Sequence, residues 1–350
     1  MSRFNKLTVK EIRRETPNAV SIVFDIPAAL QSDYKFVAGQ YLNIRYEHKG
    51  KEIRRAYSIC STPESGEIRI VVKKVEQGVF SVYANDVLKE GDQLEVDTPE
   101  GRFTFTPDAE ATNNYAAFAA GSGITPVMSI LQTVLTEEPN SKFVLVYGNK
   151  TAEETIFHTQ LHLLQEKYPE QLYVHFVYSR MRENDSLFGR IDKAAINFVV
   201  NNKHQDKTFA NYFLCGPEAM IDVVSETLQS KGIAKDHILF EIFTPNTDGN
   251  NPVEAGGGST KVTVIVDDEE STFEMPKNQA LLNGVLEAGI DAPYSCQGGI
   301  CSSCMCRVTK GSATMKRNSI LTDEEVEEGL ILSCQAIVTS DEIHINYDDI

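Results

Sequence analysis

The chain has 350 residues, 41% of them hydrophobic and 24% charged, with a net charge of -17. That acidity argues against nucleic acid as a partner, because neutralising phosphates needs a basic face. No run approaches the roughly 20 apolar residues that span a bilayer, and the N-terminal MSRFNKLTVKEIRRET has no apolar signal core, so the expected location is cytoplasmic, away from any membrane. Seven cysteines in that compartment point to metal binding or catalysis, since structural disulfides are rare there.

Up to about residue 107 the pattern is all-β. YLNIRY (41–46), EIRIVVKKV (67–75) and QLEVDTP (93–99) are rich in β-branched and aromatic residues and punctuated by Gly, Pro and Asp, as in a sandwich or barrel. Within it, RRAYSICS (54–61) sets three different groups along one strand. Arg55 can pair with a phosphate, Tyr57 can stack on a flat ring and Ser58 can hydrogen-bond the ring's edge. Strand alternation puts Arg55 and Tyr57 on one face and Ser58 on the other unless the strand bends. Further on, Gly78, Val79, Phe80 and Ser81 open a helix whose free N–H groups suit an anion.

Residues 108–243 alternate apolar runs with helical stretches, the pattern of a parallel sheet covered by helices. AAFAAG (116–121), KFVLVYG (142–148), LYVHFVYS (172–179) and NYFLCG (211–216) read as strands; PVMSILQTVL (126–135) and ETIFHTQLHLLQEK (154–167) read as helices. In AAGSGITPVMSIL (119–131), Gly121 and Gly123 let a phosphate approach the backbone, Thr125 is expected to cap the helix and Pro126 to take its first position. Pro126 stands where the dinucleotide fingerprint G-x-G-x-x-G has its third glycine. At another strand end, Cys215 precedes Gly216 and Pro217; taken alone it is a buried thiol. In YSRMREND (178–185), Ser179 supplies a hydroxyl and Arg180 a guanidinium, groups that can hold a phosphate.

Residues 244–260, rich in Gly, Asn, Pro and Thr, read as a flexible linker. Beyond it, 261–275 reads as a β-hairpin and 280–289 as a short helix. The segment 261–350 carries sixteen Asp/Glu against six Lys/Arg, either a solubilising surface or a docking face for a basic partner. Its cysteines follow Cys296-x4-Cys301-x2-Cys304-x29-Cys334. A plant-type [2Fe–2S] domain uses C-x4-C-x2-C and a distant fourth cysteine, whereas zinc prefers paired short knuckles. Gly298 and Gly299 are expected to supply positive φ where the loop curls, and Ser302 and Ser303 to let backbone N–H groups approach the sulfurs. Cys306 and Cys60 fall outside the pattern.

PYSCQGGICSSCMCRV with LSCQ resembles the plant-type ferredoxin domain, which implies Cys296, Cys301, Cys304 and Cys334 as cluster ligands. R-x-Y-S, the later G-x-x-S, G-S-G-I-T-P and C-G-P together resemble the ferredoxin–NADP reductase superfamily. That resemblance implies FAD held by Arg55, Tyr57, Ser58 and residues 78–81, and NADPH, ahead of NADH, held at the two glycine turns with Cys215 beside the nicotinamide. From FEIFTP (240–245) it implies Phe243 covering the flavin and Glu241 near the nicotinamide. The whole chain resembles the reductase components of multicomponent oxygenases. The expected architecture is therefore an antiparallel β-barrel flavin domain (1–107), an α/β parallel-sheet nucleotide domain (108–243), a linker (244–260) that lets the last domain move, and an α+β β-grasp ferredoxin domain (261–350). The expected activity is electron transfer from NADPH through FAD and the cluster to a di-iron oxygenase; the alternatives are a reductase of another ring-hydroxylating, di-iron or haem oxygenase, and a stand-alone diaphorase.

Overall fold

The computed structural model describes residues 4–244 and 257–350. The chain divides into two compact units, Met1–Thr244 and Pro245–Ile350. Most of the expected linker, residues 245–256, lies outside the described residues.

The first unit opens with β1 (Asn5–Thr16), β2 (Ala19–Asp25), β3 (Tyr41–His48), β4 (Lys51–Ser58), β5 (Ile68–Lys73), helix α1 (Val79–Asp86) and β6 (Gln93–Val96). The strands pair antiparallel in the order β4-β3-β6-β1-β2-β5. A bridge between Ile59 and Ile70 joins the two ends of this sheet and closes it as a barrel. Leu7, Ile22, Leu42, Ile44, Ile70 and Val96 point inward and fill it. The β3–β4 register is set by a two-residue turn, Lys49 and Gly50, both at positive φ (53° and 72°), the geometry that matches strand twist.

The unit continues with β7 (Asn114–Ala120), α2 (Ile124–Glu137), β8 (Lys142–Asn149), α3 (His158–Lys167), β9 (Leu172–Tyr178), β10 (Leu187–Phe188), α4 (Lys193–Asn197), β11 (Phe209–Pro217), α5 (Glu218–Gln229) and β12 (Ile238–Thr244). These strands form a parallel sheet in the order β10-β9-β8-β7-β11-β12. Residues 115–119 of β7 are buried throughout, as a central strand with both faces covered requires. Strand order runs from β7 out to β10 on one side and from β11 to β12 on the other. The reversal lies between β7 and β11, so a crevice is expected at their C-terminal ends.

Two helix starts differ from the sequence expectation. A 3-10 turn, Gly121–Gly123, leads straight into α2 at Ile124, so Thr125 and Pro126 stand inside its first turn. Thr125 caps nothing; its hydroxyl donates to the Ser122 carbonyl at 3.1 Å. Helix α3 begins at His158 rather than at 154, because Phe157 adopts φ 62°, outside the helical range.

Barrel and parallel sheet share one core. Ala38, Cys60, Phe103 and Phe105 pack with Tyr115, Phe143 and Phe213 of the sheet. Phe213 meets Phe103 and Phe105 edge-on, each at 5.9 Å, and the Ser129 hydroxyl of α2 donates to the Ser61 carbonyl at 2.6 Å. This common core is why the two domains behave as one compact unit.

The second unit holds β13 (Ser259–Val266), β14 (Glu269–Pro276), α6 (Leu281–Glu287), β15 (Met305–Lys310), β16 (Ala313–Met315), α7 (Asp323–Glu327), β17 (Leu330–Leu332), β18 (Ala336–Val338) and β19 (Glu342–Asn346). The hairpin turns through Asp267 and Asp268, both at positive φ. Five strands run in the order β14-β13-β19-β15-β17, with β13 parallel to β19, and β16 pairs with β18 as a separate ribbon. Leu281, Leu282 and Val285 of α6 pack into this sheet's core, the β-grasp arrangement. No helix among the described residues is long and apolar enough to cross a membrane.

Candidate functional site

Three groups of the first unit meet at the crevice. Gly123 leaves no room for a side chain: a Cβ there would lie 2.2 Å from the Cys215 carbonyl oxygen and 2.9 Å from the Gly216 nitrogen. The turn after β7 is thereby seated on the end of β11. Gly121, at φ 56°, accepts a 2.8 Å hydrogen bond from the Tyr147 hydroxyl through its carbonyl. Gly216, at φ 156°, is hemmed in by Met220 and Ala120, and Pro217 directly precedes α5. The two glycine turns thus face each other across the switch point.

Cys215 is fully buried, and burial followed by the nearby Glu241 carboxyl pushes its thiol well above the ordinary range. Its register partner on β12 is Glu241. Desolvation pushes the Glu241 carboxyl up to about 7, against the opposing pull of a hydrogen bond from the Ser58 hydroxyl at 3.1 Å. A barrel residue, a thiol and a carboxyl from three strands therefore converge. Phe243, two residues further along β12, is half-buried against the shared core.

Arg55 is exposed and Ser58 buried on β4, with Tyr57 half-buried between them. The Arg55 guanidinium donates to the Arg54 carbonyl at 2.7 Å. Burial holds the Tyr57 phenol well above its usual range, with the Arg55 charge acting in the opposite sense. Phe80 sits in the barrel core with its ring 5.6 Å from Tyr57, so only its backbone remains for an anion. Ser81 closes the preceding loop by accepting from the Val75 N–H at 3.1 Å. A Cβ at Gly78 would come within 2.4 Å of the Ser81 hydroxyl, so a side chain there would push that hydroxyl off the Val75 N–H. Val79 to Ser81 form the first turn of α1, whose N–H groups have no acceptor within the helix. A flat aromatic face, an exposed guanidinium and free helix N–H groups suit a flavin and its pyrophosphate.

Ser179 and Arg180 sit just past β9. Their N–H groups donate to Asn149 and Lys150 carbonyls, each at 3.0 Å, which fixes the turn while the Arg180 side chain stays exposed. Sequence reading missed Lys73. Its amine lies 3.6 Å from where a Gly121 side chain would begin, and burial lowers its pKa. The signal was a lysine ending an apolar strand just before the G-x-x-S segment, in KKVEQGVFS.

In the second unit the four cysteines stand as two pairs. The Cys301 and Cys296 sulfurs are 3.1 Å apart, with Cys301 donating. Cys304 and Cys334 form the second pair, each side chain acting on the other. Within each pair one thiol is pulled down, Cys296 by Cys301 and the loop amides and Cys334 by Cys304 and the Gly299 amide, while its partner is pushed up. Among the described residues no group of three or more His, Cys, Asp or Glu is arranged to hold a single ion. Two pairs of cysteines fit a two-iron cluster with two thiolates per iron. The loop's positive φ falls at Gln297 (50°) and Gly299 (71°) rather than at Gly298; the Gly298 N–H instead donates to the Cys296 sulfur at 3.3 Å.

Comparisons with known proteins agree with this layout. Residues 6–105 match an oxidoreductase FAD-binding domain, 118–226 an oxidoreductase NAD-binding domain and 264–339 a 2Fe-2S iron-sulfur cluster binding domain. The chain is 37% identical to one of the subunits of 1,2-phenylacetyl-CoA epoxidase from Escherichia coli, over 99% of both chains. It is 34% identical to the ferredoxin reductase component of 3-ketosteroid-9-alpha-monooxygenase from Rhodococcus rhodochrous, over 99% of this chain and 97% of that protein. Phthalate dioxygenase reductase shares the fold, with a TM-score of 0.60 at 23% identity over 98% of both chains. The chain belongs to the family of FAD- and NAD(P)-binding reductases fused to a plant-type [2Fe–2S] ferredoxin domain. It is an NAD(P)H-dependent flavin and iron–sulfur electron-transfer reductase.

Because Gly123 lies against Cys215, Gly123→Ala is expected to slow anaerobic reduction of the flavin by NADPH about a hundredfold while FAD content is unchanged. Stopped-flow absorbance checks this; a wild-type rate would mean the two turns need not be in contact.

Proposed function

We propose that this chain is the NADPH-oxidising subunit of a multicomponent oxygenase of the phenylacetyl-CoA epoxidase kind. The observation that carries the relay is the convergence of Ser58, Cys215 and Glu241 beside the two glycine turns, in a chain that also carries two cysteine pairs. FAD, when bound, accepts an electron pair from the nicotinamide, and a [2Fe–2S] cluster passes electrons singly at about −400 mV in plant-type domains. Domain limits of 1–107, 108–243 and 261–350, with 244–260 as linker, assign one cofactor to each domain.

In this reading Tyr57 and Phe243 flank the flavin ring, while Arg55, Gly78 and the backbone of Val79, Phe80 and Ser81 hold its pyrophosphate. Gly121, Gly123, Thr125, Pro126, Gly216 and Pro217 shape the nicotinamide crevice, where the buried thiol of Cys215 excludes water. Ser58 and Glu241 form a short proton path. With its carboxyl near 7, Glu241 can take up or release a proton through the Ser58 hydroxyl close to neutral pH. Cys296 with Cys301, and Cys304 with Cys334, hold the cluster. The oxygenase partner follows from the 37% identity over the full length to a component of that epoxidase. A reductase of another oxygenase is the second reading, favoured by the 34% identity to a ketosteroid monooxygenase component.

Three outcomes follow. A purified phenylacetyl-CoA epoxidase oxygenase should turn over with this chain and NADPH, whereas activity only with a ketosteroid monooxygenase oxygenase would favour the second reading. Arg180→Ala should lower kcat/KM for NADPH roughly ten- to a hundredfold, the worth of a charged hydrogen bond, and leave NADH unaffected. An equal loss with both nucleotides would remove Arg180 from 2′-phosphate recognition. Glu241 accepts protons only above its own pKa, so ferricyanide reduction should rise with pH through about 7 and become flat in Glu241→Gln; an unchanged profile would remove Glu241 from the proton path.

A further inference from the structure

The two cysteine pairs are built differently. Cys296 and Cys301 are partly exposed and held by amides of their own loop. Cys304 and Cys334 are buried, and a chain of hydroxyls stands behind them. Ser333, fully buried beside Cys334, contacts the Cys304 carbonyl twice, from its N–H at 3.0 Å and from its hydroxyl at 2.9 Å. Tyr347, just past β19 and almost fully buried, donates its hydroxyl to the Ser333 oxygen at 2.8 Å. The Ser333 carbonyl accepts from the Leu282 N–H at 3.1 Å, which ties the same residue to α6.

A buried phenol so placed has one polar duty. Tyr347 lies far beyond Cys304 in sequence, and what its hydroxyl reaches is the side chain next to Cys334 that bonds the Cys304 carbonyl. A phenylalanine would fill the same space in the core shared with Cys304, Cys306 and Cys334. The hydroxyl therefore adds direction rather than bulk. By donating to Ser333 it occupies that oxygen's lone pair and leaves the Ser333 proton to point at the Cys304 carbonyl, and linked hydrogen bonds of this kind strengthen one another.

We propose that Tyr347 is a positioning residue for the cluster: through Ser333 it fixes Cys304 relative to Cys334 and thereby sets the geometry and lability of the iron they share. The proposal rests on the reading of these four cysteines as [2Fe–2S] ligands. It assigns a role to a C-terminal residue outside both the C-x4-C-x2-C loop and the 264–339 segment matched by the 2Fe-2S domain.

The test uses the full-length protein carrying FAD and cluster, with Tyr347→Phe, Ser333→Ala and the double variant. Iron release to a strong ferrous chelator after dithionite reduction should be roughly two- to tenfold faster in each single variant, the span of one net hydrogen bond. The double variant should be no faster than Ser333→Ala, because the two groups act in series. The electron paramagnetic resonance line shape of the reduced cluster and its midpoint potential should move in the same sense in both single variants, while the melting temperature of Tyr347→Phe stays near wild type. An unchanged release rate, line shape and potential in Tyr347→Phe would overturn the proposal, as would a double variant whose effects simply add. Wild-type protein without two irons per chain would instead overturn the cluster reading itself, so the two failures are distinguishable.

Discussion

The first unit depends on one steric constraint, the backbone contact of Gly123 with the Cys215–Gly216 peptide. Any Cβ at 123 would occupy the space of the Cys215 carbonyl oxygen, so the turn after β7 can close on β11 only with glycine there. Once it closes, the remaining groups are placed by sheet register. Cys215 stands beside Glu241 on the next parallel strand, and Glu241 reaches the barrel through Ser58. The aromatic core around Phe213 keeps barrel and sheet from sliding, which is what allows a 3.1 Å contact between residues 183 positions apart. A pair of glycines, a parallel register and a shared core thus produce a carboxyl that titrates near neutrality at the expected meeting point of flavin and nicotinamide.

The second unit solves a different problem. A two-iron cluster needs four thiolates as two pairs, and in the proposed assignment the loop 296–304 supplies three of them. The fourth, Cys334, comes from the segment between β17 and β18, and its place is fixed by Ser333 bonding the Cys304 carbonyl. Within each pair the partner thiol, and after it the loop amides, pulls one cysteine down.

Much of this was legible in the sequence because the relevant signals are local. The C-x4-C-x2-C spacing, the G-S-G-I-T-P turn and the alternation of buried strands with helices each state their geometry within a few residues. What was not legible depends on partners far along the chain. Lys73 becomes notable only once Gly121 is beside it, and Phe80 shows its allegiance to the barrel core only when Tyr57 is in place. Helix starts were misplaced for a similar reason. Thr125 looks like a cap beside Pro126, but the 3-10 turn at 121–123 already begins the helix, and nothing in TIFHTQ announces that Phe157 adopts a left-handed conformation. Gly298 and Gly299 were read together as the flexible pair, although Gln297 carries one of the two positive φ angles.

The central claim is that nicotinamide, flavin and cluster sites within this one chain form a single relay. It is tested most directly by mixing the loaded protein anaerobically with NADPH and following flavin bleaching and the cluster's electron paramagnetic resonance signal in wild type and in Cys334→Ser. The account predicts bleaching and then a cluster signal in wild type, and bleaching at an undiminished rate with no such signal in the variant. A cluster signal that survives loss of Cys334, or a wild-type flavin that bleaches without any cluster reduction, would contradict it.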